Sequence, residues 1–243
     1  MKHYGLIGRS LEHSFSQSFF TQYFATNNIE ANYHLIELES LGELVDTLSG
    51  KYQGINVTIP YKEEIIPFLN ELTKEAKAIG AVNVIEFVDG KKIGHNTDAF
   101  GFHQSIKPFL TNKHERALIF GTGGASKAVE YVLKSLGIDV VFISRNPTKE
   151  NHFGYDEVNG LMLDACKLLV NTTPVGTYPD IDVYLDIPYH TLTEAHLVVD
   201  LIYNPSRTKF LEKSESAGAS IVNGATMLKQ QALKSWEIWA SNG

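Results

Sequence analysis

Short runs of β-branched and aromatic residues alternate along this chain with stretches where apolar residues recur at helical spacing. The first suit a pleated strand and the second give a helix one apolar stripe, so the alternation predicts an α/β fold with largely parallel sheets. In the first hundred residues it places strands at Tyr4–Ile7, Tyr33–Leu38, Gly54–Ile59 and Val82–Val88. Helices are expected at Ser16–Asn28, Leu41–Leu48, Lys62–Leu69 and Thr73–Ile79. Val88-Asp89-Gly90-Lys91-Lys92-Ile93 reads as a hairpin closing an edge. A second series starts near Arg116, with strands at Ala117–Phe120, Val140–Ile143, Leu168–Val170, Leu197–Leu201 and Ser220–Val222. Its helices fall at Ser126–Ser135, Thr208–Ala217 and Met227–Trp239. A helix over Asp98–Leu110 would join the two series, with Pro108 and the polar Thr111–Glu115 loop at the boundary. Without a Pro- or Ser-rich linker or a repeat, two abutting domains with a cleft between them are expected.

Composition narrows this picture. At roughly 150 residues per domain, 243 residues allow one or two domains. No segment is both apolar-poor and charge-dense, which excludes long disordered tails. The net charge of −7 comes without a basic cluster, which speaks against nucleic acid or an anionic membrane as partner. One cysteine, Cys166, excludes an intrachain disulfide and fits a reducing compartment. No run approaches the ~18 apolar residues of a membrane span. The start MKHYGLIG is too short and too glycine-punctuated for a secretory signal, so a cytoplasmic protein is expected. The sequons at Asn56 and Asn171 then read as accidental. The nine histidines are scattered without metal-ligand spacing, and Cys166 reads as a packed thiol.

Three polar motifs and one glycine loop carry the candidate chemistry. Ala117–Phe120 runs into Gly121-Thr122-Gly123-Gly124-Ala125-Ser126 and then a helical pattern. Gly121 permits a tight turn, Gly123 lets backbone N–H groups approach a pyrophosphate, and the helix start adds its dipole. Ser126 stands where the third fingerprint glycine is absent. The next strand ends in Ser144-Arg145-Asn146 with no carboxylate for a ribose 2′-hydroxyl; Arg145 could stack on the adenine or pair with a 2′-phosphate, and NADP is favoured over NAD. In the first half, Ser14-Phe15-Ser16 could bind a ligand or merely cap a helix, and Ser14 with Gln17 fits a capping box. Asn56-Val57-Thr58-Ile59-Pro60-Tyr61-Lys62 puts a lysine in a first helical turn, where a cation opposes the dipole. Asn83 in an apolar strand demands a partner, and Asn96-Thr97-Asp98 opens the joining helix.

Taken with Gly80-Ala81-Val82-Asn83, Asn171-Thr172-Thr173-Pro174-x-Gly176, Tyr203 and Met227-Leu228-x-x-Gln231-Ala232, this series resembles the shikimate dehydrogenase family across essentially the whole chain. The resemblance implies NADPH-dependent reduction of 3-dehydroshikimate to shikimate, a step toward chorismate and the aromatic amino acids. It makes Lys62 and Asp98 the catalytic pair. Ser14, Ser16, Thr58, Asn83, Thr97, Tyr203 and Gln231 would bind the substrate. Gly121, Gly123, Gly124, Ala125, Ser126, Ser144, Arg145, Thr172 and Gly224 would hold NADP(H). Ala99 and the Ser-Arg-Asn strand end depart from the family's usual glycine and Asn-Arg-Thr. Because Gln231 would share a site with Ser14 and Lys62, a discontinuous substrate domain follows: residues 1–99 and 226–243, mainly parallel, around a Rossmann-like NADP domain of residues 100–225. Monomer and homodimer both remain open, as does an NAD-dependent quinate/shikimate dehydrogenase. A non-catalytic nucleotide-binding module is disfavoured by the presence of both Lys62 and Asp98.

Overall fold

The computed structural model describes residues 1–12, 14–42 and 50–241; the helix expected over Leu41–Leu48 falls almost wholly outside them. Two compact units divide the chain: Met1–Thr97 with Ala232–Gly243, and Asp98–Gln231.

The first unit contains β1 (Lys2–Gly8), α1 (Phe15–Thr26), β2 (Ala31–Glu37), β3 (Gly54–Val57), α2 (Tyr61–Glu64), β4 (Glu71–Leu72), α3 (Lys74–Ile79), β5 (Val84–Val88) and β6 (Lys91–His95). They form one sheet in the order β2-β1-β3-β5-β6-β4. The β1–β2, β1–β3 and β4–β6 pairs are parallel, and β3–β5 and β5–β6 are antiparallel. Adjacent residues in β1 serve opposite faces. Leu6 packs with Tyr4, Phe20, Phe24, Tyr33 and Trp239, while Ile7 packs with Ile55, Val57, Tyr61, Ile65 and Ile85. Coverage on both faces is why these strands read as apolar runs. Asp89 and Gly90 both have positive φ, +49° and +75°, and join β5 to β6 in the two-residue hairpin the sequence suggests.

Several boundaries differ from expectation. The strand expected to Ile59 stops at Val57, and that expected from Val82 starts at Val84. The helix expected over Lys62–Leu69 is a single turn, Tyr61–Glu64, followed by a 3₁₀ turn at Ile66–Phe68. Pro67 sits in that second turn, and a proline both lacks an N–H and crowds the carbonyl four residues back. The hairpin does not close the sheet, because β4 pairs beyond β6.

The second unit comprises α4 (Asp98–Ile106), β7 (Arg116–Phe120), α5 (Gly124–Ser135), β8 (Asp139–Ile143), β9 (His152–Phe153), α6 (Gly160–Ala165), β10 (Leu168–Asn171), β11 (Leu197–Asp200), α7 (Lys209–Ser216), β12 (Ser220–Val222) and the first turns of α8 (Ala225–Ala240). Its six strands are ordered β12-β11-β10-β7-β8-β9 and are parallel throughout. Numbered from β7, this is the 3-2-1-4-5-6 order of a dinucleotide-binding sheet. Leu118, Phe120, Ile143, Leu169, Val198, Phe210 and Cys166 share one core. Cys166 is free and buried, and burial pushes its thiol pKa up, as a packed thiol requires. The joining helix stops at Ile106 rather than Leu110, since Pro108 disfavours helical backbone at Lys107. The edge strand β9 and helix α6 were not expected. Among the described residues, no helix is long and apolar enough to cross a membrane.

Candidate active site

In the first unit, a buried chain of hydroxyl and amide groups links residues far apart in sequence. Ser14 is the N-cap of α1, its backbone extended and its hydroxyl oxygen accepting from the Ser16 N–H at 3.2 Å. This second-position bond replaces the Gln17 capping box. Ser16, itself buried, hydrogen-bonds the phenol of Tyr33, whose pKa burial drives upward and the Ser16 bond partly lowers. Tyr33 Oη donates to Asn56 Oδ1 at 2.7 Å. Asn56 Nδ2 donates to the Asn83 carbonyl at 3.3 Å and to Ser235 Oγ at 3.1 Å. Ser235 Oγ lies 3.2 Å from Thr97 Oγ1, which accepts from Asn83 Nδ2 at 3.0 Å. The Thr97 N–H donates back to Asn83 Oδ1 at 2.7 Å. Asn83 thus has the partner its burial demanded, and Ser16, Asn83 and Thr97 are members of one network. Asn56 is 5% exposed and Asn171 0%, which removes both sequons from glycosylation in the folded chain.

Thr58 and Lys62 flank a cis Ile59–Pro60 peptide. The Thr58 N–H donates to the Ile7 carbonyl, and the Tyr61 N–H to the Thr58 carbonyl, both at 2.9 Å. Lys62 is half-buried in the one turn of α2, and its carbonyl accepts from the Val82 N–H at 2.7 Å. The backbone carrying the lysine is therefore tied to the segment carrying Asn83.

In the second unit, the candidate cofactor residues gather at the C-terminal ends of the strands. Gly121 has φ +101°, and its N–H donates to the Ile143 carbonyl at 2.9 Å. A Cβ there would lie 2.9 Å from Thr172 Oγ1 and from Thr173 Cγ2, so only glycine fits. Thr172 Oγ1 donates to the Phe120 carbonyl at 2.7 Å, joining the ends of β7 and β10 where the strand order reverses. Gly123 is the N-cap of α5, which no side chain caps, and a Cβ on it would meet nothing within 4 Å. An open glycine turn, an uncapped helix start and a switch point together fit a dinucleotide pyrophosphate. Gly124 and Ala125 form the first turn of that helix. Both the N–H and the hydroxyl of Ser126 donate to the Gly123 carbonyl, at 3.0 and 2.6 Å. The serine at the missing-glycine position therefore braces the loop. Ser144 Oγ accepts from the Asn146 N–H at 3.2 Å, which shapes the turn carrying exposed Arg145. Arg145 acts on the Tyr155 phenol, lowering a pKa that burial raises. Gly224 packs its Cα against the Leu201 backbone, leaving no room for a Cβ.

Asp98, Tyr203 and Gln231 also belong to the second unit. Asp98 opens α4 and is 6% exposed; Tyr203 is 37% exposed. Gln231 is buried, with Nε2 donating to the Leu228 carbonyl at 2.9 Å. A Cβ on Gly101 would meet the Met227 carbonyl at 2.5 Å and Gln231 Cβ at 3.0 Å, so α4 and α8 meet through this glycine. Sequence reasoning missed Gly101, along with Tyr33, Ser235 and Asp200. Asp200 is fully buried, and desolvation raises its carboxyl pKa to about 6 against hydrogen bonds from Thr208, Ile202 and Asn171. Among the described residues no cluster of three or more His, Cys, Asp or Glu could hold a metal ion.

The family model for the shikimate dehydrogenase substrate-binding domain matches residues 6–85. A shikimate dehydrogenase (NADP⁺) from Clostridium beijerinckii is 36% identical over 254 residues, covering 98% of this chain and 92% of the relative. Among solved structures, a shikimate dehydrogenase in complex with NADP⁺ is 33% identical with a TM-score of 0.88, covering 99% of this chain and 90% of that one. The shikimate 5-dehydrogenase of Thermus thermophilus, in complex with NADP(H) and shikimate, is 28% identical with a TM-score of 0.88, covering 99% and 94%.

Proposed function

The chain belongs to the shikimate dehydrogenase family, and from that premise we propose that it catalyses the reversible reduction of 3-dehydroshikimate to shikimate with NADPH. The observation that carries the reading is the pairing of two constructions on one chain. One is an uncapped glycine turn at the switch point of a 3-2-1-4-5-6 sheet. The other is a buried polar network holding Ser16, Asn83 and Thr97. The first suits a dinucleotide, and the second suits a small ligand rich in hydroxyl groups. NADP(H) is the cofactor named for the relatives, and when bound it supplies the hydride.

The chain's own residues bind, orient and move one proton. Gly121, Gly123, Gly124, Ala125 and Ser126 form the pyrophosphate turn, Thr172 and Gly224 complete its wall, and Ser144 presents Arg145 to a 2′-phosphate. Ser14, Ser16, Thr58, Asn83, Thr97, Tyr203 and Gln231 bind the substrate's carboxylate and hydroxyls. In the reductive direction the Lys62 ammonium hydrogen-bonds the ketone oxygen and gives it a proton as the carbon is reduced. The neutral amine is left to regain that proton from solvent. Asp98 orients the ammonium and accepts from a substrate hydroxyl. Residues 1–99 with 226–243 serve as the substrate domain and residues 100–225 as the cofactor domain. Buried, unpaired Cys166 suits the cytoplasm.

Steady-state kinetics of shikimate and quinate against NADP⁺ and NAD⁺ test the reading. The highest kcat/KM is expected for shikimate with NADP⁺. Faster turnover of quinate with NAD⁺ would replace it with a quinate dehydrogenase. Arg145→Ala should raise the KM for NADP⁺ roughly tenfold or more through the lost charge-assisted contact and leave that for NAD⁺ nearly unchanged. Equal losses would remove the 2′-phosphate role.

A further inference from the structure

Strand β11 reads Leu197-Val198-Val199-Asp200, three buried apolar residues and then a carboxylate with no exposure at all. An apolar residue there would avoid the cost of desolvating a charge, so the aspartate calls for a reason. Three donors converge on it. Thr208 Oγ1 donates to Oδ2 at 2.6 Å, and Asn171 Nδ2 and the Ile202 N–H donate to Oδ1 at 3.0 and 3.1 Å. Asn171 is its register partner on β10. The Asn171 Oδ1 in turn accepts from the Thr173 N–H at 2.9 Å and the Thr173 hydroxyl at 2.6 Å. Thr173 Oγ1 then accepts from the Val175 N–H at 3.2 Å. This loop supplies the wall of the glycine turn, since Thr172 Oγ1 and Thr173 Cγ2 are the atoms a Gly121 Cβ would strike. On the other side, Ile202 leads directly into Tyr203.

We propose that Asp200 is a positioning residue, fixing from inside the sheet the Asn171–Gly176 loop against which NADP(H) lies and the Ile202–Tyr203 segment beside it. The proposal rests on the cofactor reading above. Only an acceptor with no hydrogen of its own satisfies all three donors at once. Asparagine has the same shape but turns an NH₂ toward one of them. Thr208 couples the assembly to α7, because its hydroxyl oxygen also accepts from the Leu211 N–H at 3.3 Å as the helix N-cap.

The test compares Asp200→Asn with Thr208→Val, which removes one donor and leaves the acceptor intact. Amide hydrogen exchange on the ligand-free protein reads the loop, and calorimetric titration with NADP⁺ reads the cofactor. Asp200→Asn should speed exchange at Thr173 and Val175 at least tenfold and weaken NADP⁺ by about tenfold. If Asp200→Asn does not fold, Thr208→Val carries the test. Loss of the cap alone would fray α7, whereas loss of Asp200 positioning also speeds exchange at the loop amides. Wild-type exchange at Thr173 and Val175 in each folded variant overturns the proposal, whatever the titration gives. Failure of the wild-type protein to bind NADP⁺ overturns the cofactor reading instead and leaves the exchange result to decide the role of Asp200.

Discussion

Lys62 stands second in a helix of one turn, beside Glu63 and Glu64, which suit that position where the lysine does not. Its backbone is pinned through the Val82 N–H, so replacing the side chain removes an ammonium without loosening the turn. Lys62→Ala should lower kcat by about 10²–10⁴ through lost proton transfer, with a smaller change in KM; a kcat near wild type would remove the lysine from the chemistry. Lys62 stands out in the sequence as a candidate because it offends a local rule. Tyr33, Asn56 and Ser235 offend none that a short window can see, and Ser235 lies 179 positions from Asn56. Two histidines escaped for the same reason. Thr111-Asn112-Lys113-His114 and Thr193-Glu194-Ala195-His196 fold into twin turns just before β7 and β11. In each, the histidine Nδ1 accepts from the threonine N–H, at 3.0 and 2.9 Å. His196 Nε2 donates to the Leu163 carbonyl at 3.0 Å. Burial is the main cause that lowers both pKa values. A depressed histidine pKa means that the unfolded chain takes up protons first. Stability held above about pH 6.5, the unfolded value, is then lost as pH falls from there toward the lower folded values. The Tm should drop between pH 7 and 5, and less steeply in His114→Gln/His196→Gln; equal slopes would show that these histidines do not govern the acid limb.

At the scale of elements, the readable ones have a long apolar run or a strong period. The run Ala117–Phe120 into a glycine turn and an amphipathic helix is such a case, and β7, the turn and α5 follow it. β4 and β9 have two residues each, too few for any period, and exist because a neighbouring strand offers an edge. The eight-residue helix expected after Pro60 was shortened by Pro67, a local breaker outweighed in the sequence by the apolar spacing around it. The aromatic end of α8 shows what the pattern does carry. Trp236 and Trp239, three apart, both pack within the first unit. Trp239 stacks on Tyr4 with centroids 5.0 Å apart and donates Nε1 to the Ile85 carbonyl at 3.1 Å. The indole occupies the space over Gly54 of β3, where a Cβ would collide with it. Gly54→Ala should therefore cost about 1–3 kcal/mol, as overpacking does in a rigid core. The measurement is the urea midpoint followed by tryptophan fluorescence, and an unchanged midpoint would mean that the indole moves aside freely.

For the whole molecule, the sequence's alternation was enough for the α/β class and for a parallel sheet around the glycine turn, because βαβ crossovers leave that trace at every repeat. Alternation says little of the mixed sheet of the first unit, where the antiparallel β3–β5 join comes after a long excursion through α2, β4 and α3. The same excursion brings Asn56 and Asn83 together, and the chain's end adds Ser235, so the polar network is a product of topology and not of any one motif. Every member from Ser16 to Ser235 lies in the first unit, which gives the network a kinetic signature. Tyr33→Phe keeps the ring in its stack on Phe20, 4.6 Å between centroids. It removes the proton given to Asn56 and the oxygen bonded to Ser16. Leaving a buried acceptor unpaired costs roughly 1–3 kcal/mol, part of it as global stability and part as misplacement of Ser16, Asn83 and Thr97. The glycine turn, Thr172 and Arg145 belong to the second unit. The KM for dehydroshikimate should therefore rise several-fold in Tyr33→Phe while that for NADPH stays at its wild-type value. A parallel rise in both constants would show that the phenol supports the fold alone, and an unchanged dehydroshikimate KM would separate Ser16 from the network altogether.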